Sequence, residues 1–178
     1  MAGHNKWAQI KHKKAITDSK KSKIFSKLVR YIAVEAKLSD GKDSPGLRSA
    51  IEKAKKVNMP SENIERAIKK ASEPGINMEN ITYETYGPGG VGIIIETLTD
   101  SKNRTAQEIK HILSKNGFAL AGIGSVAWSF QKEMTPEGLI WKPTTTIPLS
   151  EEDLELLAKL VDDLEENDDV QDVYTNAE

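Results

Sequence analysis

The chain has 178 residues and a formal net charge of −2, a length that suffices for one or two domains with a sizeable core. It contains no cysteine, which excludes disulfide bonds, thiolate catalysis and cysteine-based zinc sites and is typical of a reducing cytoplasm. No segment approaches the ~20 apolar residues of a membrane span, and the first thirty residues lack the apolar stretch of a secretory signal. We expect a cytoplasmic protein without membrane association. The basic, acid-poor N-terminus leaves a mitochondrial presequence as a rival interpretation, although such peptides favour arginine over the lysine found here.

The charges are divided unevenly along the chain. Residues 1–76 hold 15 Lys and 3 Arg against 8 acidic residues, whereas residues 77–178 hold 7 basic and 19 acidic residues. Such an asymmetry is typical of a half that binds a polyanion joined to a half that repels one. We therefore expect a basic domain over 1–76, carrying an N-terminal arm, and an acidic domain over 77–178.

The first fourteen residues, MAGHNKWAQIKHKK, place a tryptophan within a run of lysines and histidines. The lysines can neutralise phosphates, Trp7 can stack on an unpaired base, and histidine adds hydrogen bonds near neutral pH. This combination suits folded RNA better than duplex DNA, because the bases of a duplex are already stacked. The alternative is that Trp7 and Ile10 only attach the arm to the neighbouring helical bundle.

Three amphipathic helices are predicted in the rest of the basic half. Apolar residues recur at helical spacing over 18–38, with the cations off the apolar stripe, and Asp40-Gly41 ends this helix. Ser44-Pro45 is typical of an N-cap followed by a proline and predicts the start of a second helix. A third helix is predicted between Met59-Pro60 and 74–75. Together these segments predict a small helical bundle.

The period of the apolar residues changes after residue 76. The pattern predicts strands over 81–86, 91–97, 124–130 and 170–174, helices over 103–116 and from Ser150 to about 164, and an irregular stretch over 133–149. Gly117 is the expected left-handed C-cap, and Ser150 with Asp153 forms a variant capping box. The order predicts an α+β fold, in which the N-terminal three-helix bundle precedes an α/β sandwich domain (ββαβ…αβ) whose sheet carries helices on one face.

The sequence contains no catalytic constellation. The histidines, His4, His12 and His111, have no carboxylate at metal-ligand spacing, so we expect neither a metal site nor a cofactor. The GPGGVG stretch resembles a phosphate loop, but it lacks the Lys-Ser/Thr ending and precedes a strand, so a hairpin turn is the better interpretation. The acidic residues of 151–169 are typical of a solvated helix face. We expect no enzymatic activity and no small-molecule substrate.

Motifs that resemble one family run from the first residue to the last. MAGHNKWAQIKHKK, KIFSKLVR, YGPGGVGIIIE, GSVAWSF and the DDVQDVYTN ending resemble the YebC/PmpR family, which includes the mitochondrial translational activator of cytochrome c oxidase. The resemblance implies a helical N-terminal domain followed by two α/β domains, one of them inserted within the other. Members were long described as DNA-binding transcriptional regulators and are also associated with ribosomes, where they relieve stalling on stretches such as consecutive prolines.

The chain departs from the family pattern near residues 131–142. In the family, several dozen residues of the third domain separate the GSVAWSF-like segment from the segment that resembles 143–149. Here twelve residues fill that place. The sequence therefore predicts a short form, natural or engineered, that lacks most of the inserted third domain.

These observations favour a nucleic-acid-binding regulatory factor that acts by positioning and charge. The preferred target is the ribosome and its RNA, with relief of stalled peptide-bond formation as the function; the alternative is a transcriptional regulator that binds duplex DNA. A third hypothesis is a protein-interaction module in which the acidic C-terminal helix recruits a basic partner. We expect a monomer. The candidate contact residues are His4, Lys6, Trp7, Lys11, His12, Lys13, Lys14, Lys20, Lys23, Lys27 and Arg30, with Gly87, Gly89, Gly90, Asn103 and Arg104 as candidate RNA-contacting loops.

Overall fold

The structure is a computed structural model that describes residues 6–13, 18–71, 77–136 and 138–178. Its helices and strands follow the order α1 Lys6–Lys13, α2 Asp18–Leu38, α3 Pro45–Lys56, α4 Ser61–Lys70, β1 Glu79–Tyr86, β2 Gly92–Thr99, α5 Lys102–Lys115, β3 Phe130–Thr135, β4 Gly138–Pro143, α6 Glu151–Glu165 and β5 Val170–Thr175. The mixture of helices and antiparallel strands confirms the predicted α+β class. Within the described ranges, no helix is long and apolar enough to cross a lipid bilayer.

The described residues form two compact units. One, the helical unit, contains α2, α3 and α4 together with the tip of the β3–β4 hairpin at 133–140. The other, the α/β unit, contains α1, residues 80–132 and residues 141–178. This division differs from the predicted boundary at residue 76, because α1 groups with the acidic half and the hairpin tip groups with the basic half.

The helical unit is built as its sequence pattern predicts. Helix α2 covers the expected 18–38 and is followed by Asp40 and Gly41, both with positive φ angles. At the start of α3, the Ser44 hydroxyl accepts a hydrogen bond from the Leu47 backbone N–H at 3.1 Å, so the predicted N-cap is confirmed. The three helices share one apolar core, formed by Ile32, Ala36, Leu47, Ala50, Ala54, Met59, Ile64 and Ala67.

A three-stranded sheet in the order β1-β2-β5 forms the centre of the α/β unit. Strands β2 and β5 are antiparallel, with Ile93 opposite Thr175 and Ile95 opposite Val173. β2 is the central strand, and packing from other elements covers both of its faces. Ile93 and Ile95 belong to the core that includes α5 and α6, whereas Ile94 packs with Val126 and Phe130 on the opposite face.

Two predictions about this unit are wrong. Residues 124–130 do not form a strand: Gly124 has a φ of +82°, and 127–129 form a 3₁₀ turn before β3 begins at Phe130. The stretch 133–149 is not uniformly irregular either, because it contains the end of β3 and all of β4, which form a separate two-stranded sheet. The alternating pattern of GSVAWSF was misleading because Val126 and Phe130 pack on Ile94 of β2 without pairing into the three-stranded sheet, and Trp128 is exposed.

The helix boundaries of the α/β unit agree with their sequence signals. Gly117 follows α5 with a φ of +84°, as expected for a left-handed C-cap. At the start of α6, the Ser150 hydroxyl accepts a hydrogen bond from the Asp153 backbone N–H at 3.1 Å and donates one to the Asp153 carboxylate at 2.9 Å. This is the predicted variant capping box, with the return hydrogen bond made by the hydroxyl.

Candidate nucleic-acid interface

Helix α1 is held to the α/β unit by its tryptophan. The Trp7 side chain is only 8% exposed and belongs to the core formed by β2, α5, α6 and β5, and Ile10 packs against the same core. The expected stacking surface is therefore not available in this structure, because its faces are covered by apolar side chains. The attachment interpretation fits the burial, with the correction that Trp7 packs into the core of the α/β unit.

The cations of α1 lie on a helix in which Trp7 is buried and Ile10 is half-buried. Lys6 and Lys11 are exposed, and the Lys6 ammonium lies 3.8 Å from the Glu151 carboxylate at the start of α6. His12 and Lys13 are part of α1, but their side chains lie outside the described residues, as do His4 and Lys14 altogether. The described part of the arm thus offers two exposed lysines, one of them beside an acidic residue.

Helix α2 carries the second group of predicted contact residues. Lys20, Lys23, Lys27 and Arg30 are all half-buried, and each makes interactions with neighbouring groups. In the same part of α2, Phe25, Leu28 and Val29 are partly buried and pack against the core of the helical unit. Helices α1 and α2 belong to different compact units, so the predicted contact residues are divided between the two.

Further lysines of the helical unit lie at helix ends, a group that the sequence pattern alone did not single out. The last turns of α3 and α4 contain Lys53, Lys55, Lys56, Lys69 and Lys70. Cations there are favoured by the partial negative charge of a helix C-terminus. The Lys53 ammonium also lies 5.4 Å from the centroid of the Tyr31 ring. Residues 18–71 hold 14 Lys and Arg against 7 Asp and Glu, so the basic character of this stretch does not depend on the N-terminal arm.

The glycine-rich turn connects β1 to β2 and packs against the start of α6. Gly87 is buried and its N–H donates to the Val91 carbonyl at 2.8 Å, whereas Gly89 and Gly90 are exposed with φ angles of +63° and +80°. A Cβ atom on Gly89 would clash with a methyl carbon of Leu149. The hairpin-turn interpretation is confirmed, and the exposed part of the turn is limited to Gly89 and Gly90.

Arg104 is engaged in a network of its own unit. Its guanidinium lies 2.8 Å from the Asp169 carboxylate, 3.0 Å from Asp100 and 3.6 Å from Glu108. The hydrogen bond to Asp169 is the main reason that the pKa of Arg104 is raised above its usual value. A phosphate would have to compete with three carboxylates for this guanidinium. A structural role of Arg104 within its own unit is therefore an alternative to the expected RNA contact. Asn103 is exposed.

Asp169 corrects the prediction that the acidic residues of 151–169 form a solvated face. Its side chain is buried, 3% exposed, and its carboxylate also accepts a hydrogen bond from the Thr105 hydroxyl at 2.7 Å. That hydroxyl contacts the Thr99 hydroxyl at 2.7 Å, which links the end of β2 to the start of α5. Asp169, which directly precedes β5, is therefore connected through these hydrogen bonds to α5 and to the end of β2. Among the described residues, no group of His, Asp and Glu side chains has an arrangement that could hold a metal ion.

Sequence-based reasoning also missed Glu84, a buried acid on β1. Its carboxylate accepts hydrogen bonds from three backbone N–H groups, those of Gly124 at 2.7 Å, Val126 at 2.7 Å and Ala127 at 2.9 Å. The loop that these bonds hold presents Trp128 with 70% of its side chain exposed. The sequence did contain a signal for this role, an acidic residue within the predicted strand 81–86. A carboxylate that is buried in a strand needs hydrogen-bond donors nearby.

Comparison with known proteins identifies relatives over the whole chain. A family model described as the TACO1/YebC protein N-terminal domain matches residues 5–74, and one described as the TACO1/YebC second and third domain matches residues 78–137 and 131–177. A "Probable transcriptional regulatory protein" of Fervidobacterium nodosum is 40% identical over 235 aligned positions, which cover 99% of this chain and 93% of that protein. A protein of the same description from Petrotoga mobilis is 45% identical over 188 positions, covering 100% of this chain and 71% of that protein.

A solved structure shares the fold. The crystal structure of a conserved hypothetical protein from Aquifex aeolicus superposes with a TM-score of 0.80 at 35% identity, covering 97% of this chain and 96% of that one. The two segments matched by the second family model meet at residues 131–137, at the β3–β4 hairpin. The alignment to the Fervidobacterium protein extends over 235 positions although this chain has 178 residues, so that relative contains a stretch without counterpart here. The chain therefore belongs to the TACO1/YebC family.

Proposed function

We propose that this chain is a nucleic-acid-binding regulatory factor whose target is ribosomal RNA, and that it supports peptide-bond formation on stalled ribosomes, for example at proline-rich stretches. The observation that carries the proposal is the separation of charge between the two units. The helical unit, residues 17–79 and 133–140, holds 14 Lys and Arg against 11 Asp and Glu, and its excess of cations lies in 18–71, where they outnumber the acids by 14 to 7. The α/β unit, residues 1–16, 80–132 and 141–178, holds 11 Lys and Arg against 16 Asp and Glu. A polyanion is attracted to the first unit and repelled by the second, which orients the protein on its target.

The side-chain types of the helical unit favour phosphate contacts over the reading of duplex base edges. Residues 18–71 contain 11 Lys, 3 Arg, 2 Asn and no Gln. Arg, Asn and Gln recognise bases in the major groove of DNA through planar groups that make paired hydrogen bonds; lysine also contacts guanine there, but its ammonium is a point charge that binds a phosphate equally well. Arg48 lies 3.3 Å from Asp43 and Arg66 lies 4.0 Å from Glu62, so both have acidic neighbours within their own unit. This composition supports recognition of the shape and charge of a folded RNA.

A second candidate function is the regulation of transcription through duplex DNA. It is favoured by the names of the relatives in Fervidobacterium and Petrotoga, which are described as probable transcriptional regulatory proteins. The same lysines would then neutralise the phosphates of a duplex. The two candidates differ in which nucleic acid binds more tightly at equal salt concentration.

The test removes equal numbers of cations from the two units. Lys20, Lys23 and Lys27 are replaced by alanine in one variant, and Lys102, Lys110 and Lys115 of α5 in a matched control. Alanine is the best helix former, so both helices should persist. Binding to a labelled ribosomal RNA fragment and to duplex DNA of equal length is measured by fluorescence anisotropy over a salt series, together with co-sedimentation with ribosomes at low and high salt.

We expect the α2 variant to bind RNA at least 10-fold more weakly at low salt, with a salt slope reduced by roughly 0.7–0.9 for each phosphate that is no longer neutralised. The α5 variant should bind like the wild type or slightly more weakly. Equal losses in both variants would show that only the net charge matters and would contradict the proposal. Tighter binding to duplex DNA than to the RNA fragment would favour the second candidate.

A further inference from the structure

The loop between α5 and β3 presents an exposed apolar cluster. The Trp128 side chain is 70% exposed, Tyr86 on the neighbouring strand is 45% exposed, and Ile123 is fully exposed. Isolated apolar residues on a surface are ordinary, but two aromatic rings and an isoleucine around one short loop form a patch of the kind that binding sites use. Nothing in the packing of the α/β unit requires the indole at this position, because it contributes little to the core.

The two aromatic side chains are held in place by one carbonyl group. The Trp128 indole N–H donates to the Ser125 carbonyl oxygen at 2.8 Å, and the Tyr86 hydroxyl donates to the same oxygen at 2.5 Å. Both polar groups are therefore used inside the protein. What remains for a partner is the flat face of the rings, with no free donor that would select a particular hydrogen-bonding group.

The backbone of the loop that carries Trp128 is held by a buried carboxylate. The buried Glu84 carboxylate accepts hydrogen bonds from the backbone N–H groups of Gly124, Val126 and Ala127. Hydrogen bonds to an ionised acceptor are stronger than those between neutral groups. The indole thus stands on a backbone that is ordered before any partner binds, which reduces the entropy cost of binding.

Two stretches of chain, one of them containing Trp128, lack acidic residues in a unit that is otherwise acidic. Residues 117–132 and 141–150 contain no Asp or Glu, although 80–132 and 141–178 together hold 16 acidic against 7 basic residues. The two acid-free stretches are adjacent, since the Thr144 N–H donates to the Ser129 carbonyl at 2.9 Å. They contribute Lys132 and Lys142, and the Lys132 ammonium lies 4.6 Å from the centroid of the Trp141 ring.

We propose that this surface, formed by Trp128, Tyr86, Lys132 and Lys142, is a second nucleic-acid site that binds one unpaired base on the indole and the adjoining phosphates on the lysines. It takes single-stranded nucleic acid because a flat aromatic face without free donors recognises any exposed base, and a duplex exposes none. The proposal rests on the proposed function in so far as the helical unit brings the RNA to the protein. Because this site lies in the acidic unit, substitutions there can be tested independently of the lysines of α2.

The test compares Trp128→Ala with Trp128→Phe and with Leu156→Ala, which removes a half-exposed apolar side chain from α6 of the same unit. The probes are a fluorescein-labelled 12-nucleotide oligouridylate and a 12-base-pair DNA duplex, measured by anisotropy at fixed salt. The indole is largely exposed, so thermal unfolding should be unchanged in all three variants. Quenching of the tryptophan emission by oligouridylate, present in the wild type and absent in Trp128→Ala, is the second readout.

We expect Trp128→Ala to weaken oligouridylate binding by about 5-fold to 100-fold, in line with one stacked base, and to change duplex binding less than 2-fold. Trp128→Phe should recover most of the affinity, and Leu156→Ala should have no effect. Lys132→Ala with Lys142→Ala should reduce the salt slope for oligouridylate by roughly 0.7 for each phosphate that these lysines neutralise.

If Trp128→Ala and the wild type bind oligouridylate with equal affinity, this inference is overturned. The patch would then be a candidate binding surface for an apolar region of another protein. That outcome is distinct from failure of the proposed function, which the α2 lysine variant reports independently. Loss of RNA binding in the α2 variant together with wild-type binding of Trp128→Ala would sustain the first proposal and refute the second site.

Discussion

Replacing Trp7 by alanine tests whether the N-terminal helix is held in place by its indole. The side chain is 8% exposed within an apolar core, and Ile10 is the other partly buried apolar contact of α1. Burial of a large aromatic side chain removes roughly 150–250 Å² from water. At about 25 cal/mol per Å² this corresponds to ~4–6 kcal/mol as an upper bound. Because alanine keeps only a small part of this area, we expect Trp7→Ala to weaken the docking of α1 by about 3–5 kcal/mol.

The remaining contacts cannot compensate for a loss of this size. Ile10 is only half-buried, and the ion pair between Lys6 and Glu151 is exposed on both sides, so it adds little. The amide hydrogens of α1 should therefore exchange at nearly the rate of an unstructured peptide in the variant. Hydrogen exchange followed by mass spectrometry measures this directly. Trp128→Ala, the same substitution at an exposed site, is the matched control and should leave the exchange of α1 unchanged.

Amides of α1 that remained as protected in Trp7→Ala as in the wild type would refute this account of the docking. The nucleic-acid measurements provide a second criterion. With the indole inside the core, Trp7→Ala should not weaken binding to single-stranded RNA more than binding to duplex DNA. A selective loss of RNA affinity with α1 still protected would restore Trp7 as a stacking surface.

Two further predictions concern buried or half-buried acids. Glu84→Gln should lower the free energy of unfolding by about 1.5–3 kcal/mol, because an amide cannot replace a carboxylate that accepts hydrogen bonds from three backbone N–H groups. Chemical denaturation measures this loss, and an unchanged denaturation midpoint would contradict the role assigned to Glu84. Burial raises the pKa of Glu35 above 4.5, so the folded state binds more protons than the unfolded state in that range and stability falls as the pH rises through the folded pKa. Glu35→Gln should therefore raise the melting temperature at pH 7 but not at pH 4, and an equal effect at both pH values would contradict this explanation.

Much of the secondary structure and the family could be predicted from the sequence because the signals are local. The span of α2 follows from the spacing of its apolar residues, and the start of α3 follows from Ser44-Pro45, whose hydroxyl and fixed φ act on adjacent backbone groups. The turn at 87–90 and the cap at Gly117 depend on glycine at positive φ angles, which is also a property of single residues. The concentration of lysines over 18–71 needs no structure to be seen.

The site could be predicted less well because exposure is a property of the folded chain. Trp7 and Trp128 both occur in motifs that invite a functional interpretation, and only their neighbours in space distinguish them: the first is covered by the core of the α/β unit, and the second stands on a loop that Glu84 holds. Asp169 looks like one more acid beside a helix until Arg104 and Thr105 are brought against it from 64 or more residues away. The sequence by itself determined helices α2 to α6, the turns at 87–90 and Gly117, and the charge of each half. Which aromatic side chains are buried and which are presented to a partner was decided by long-range packing, since that depends on contacts that no local pattern encodes.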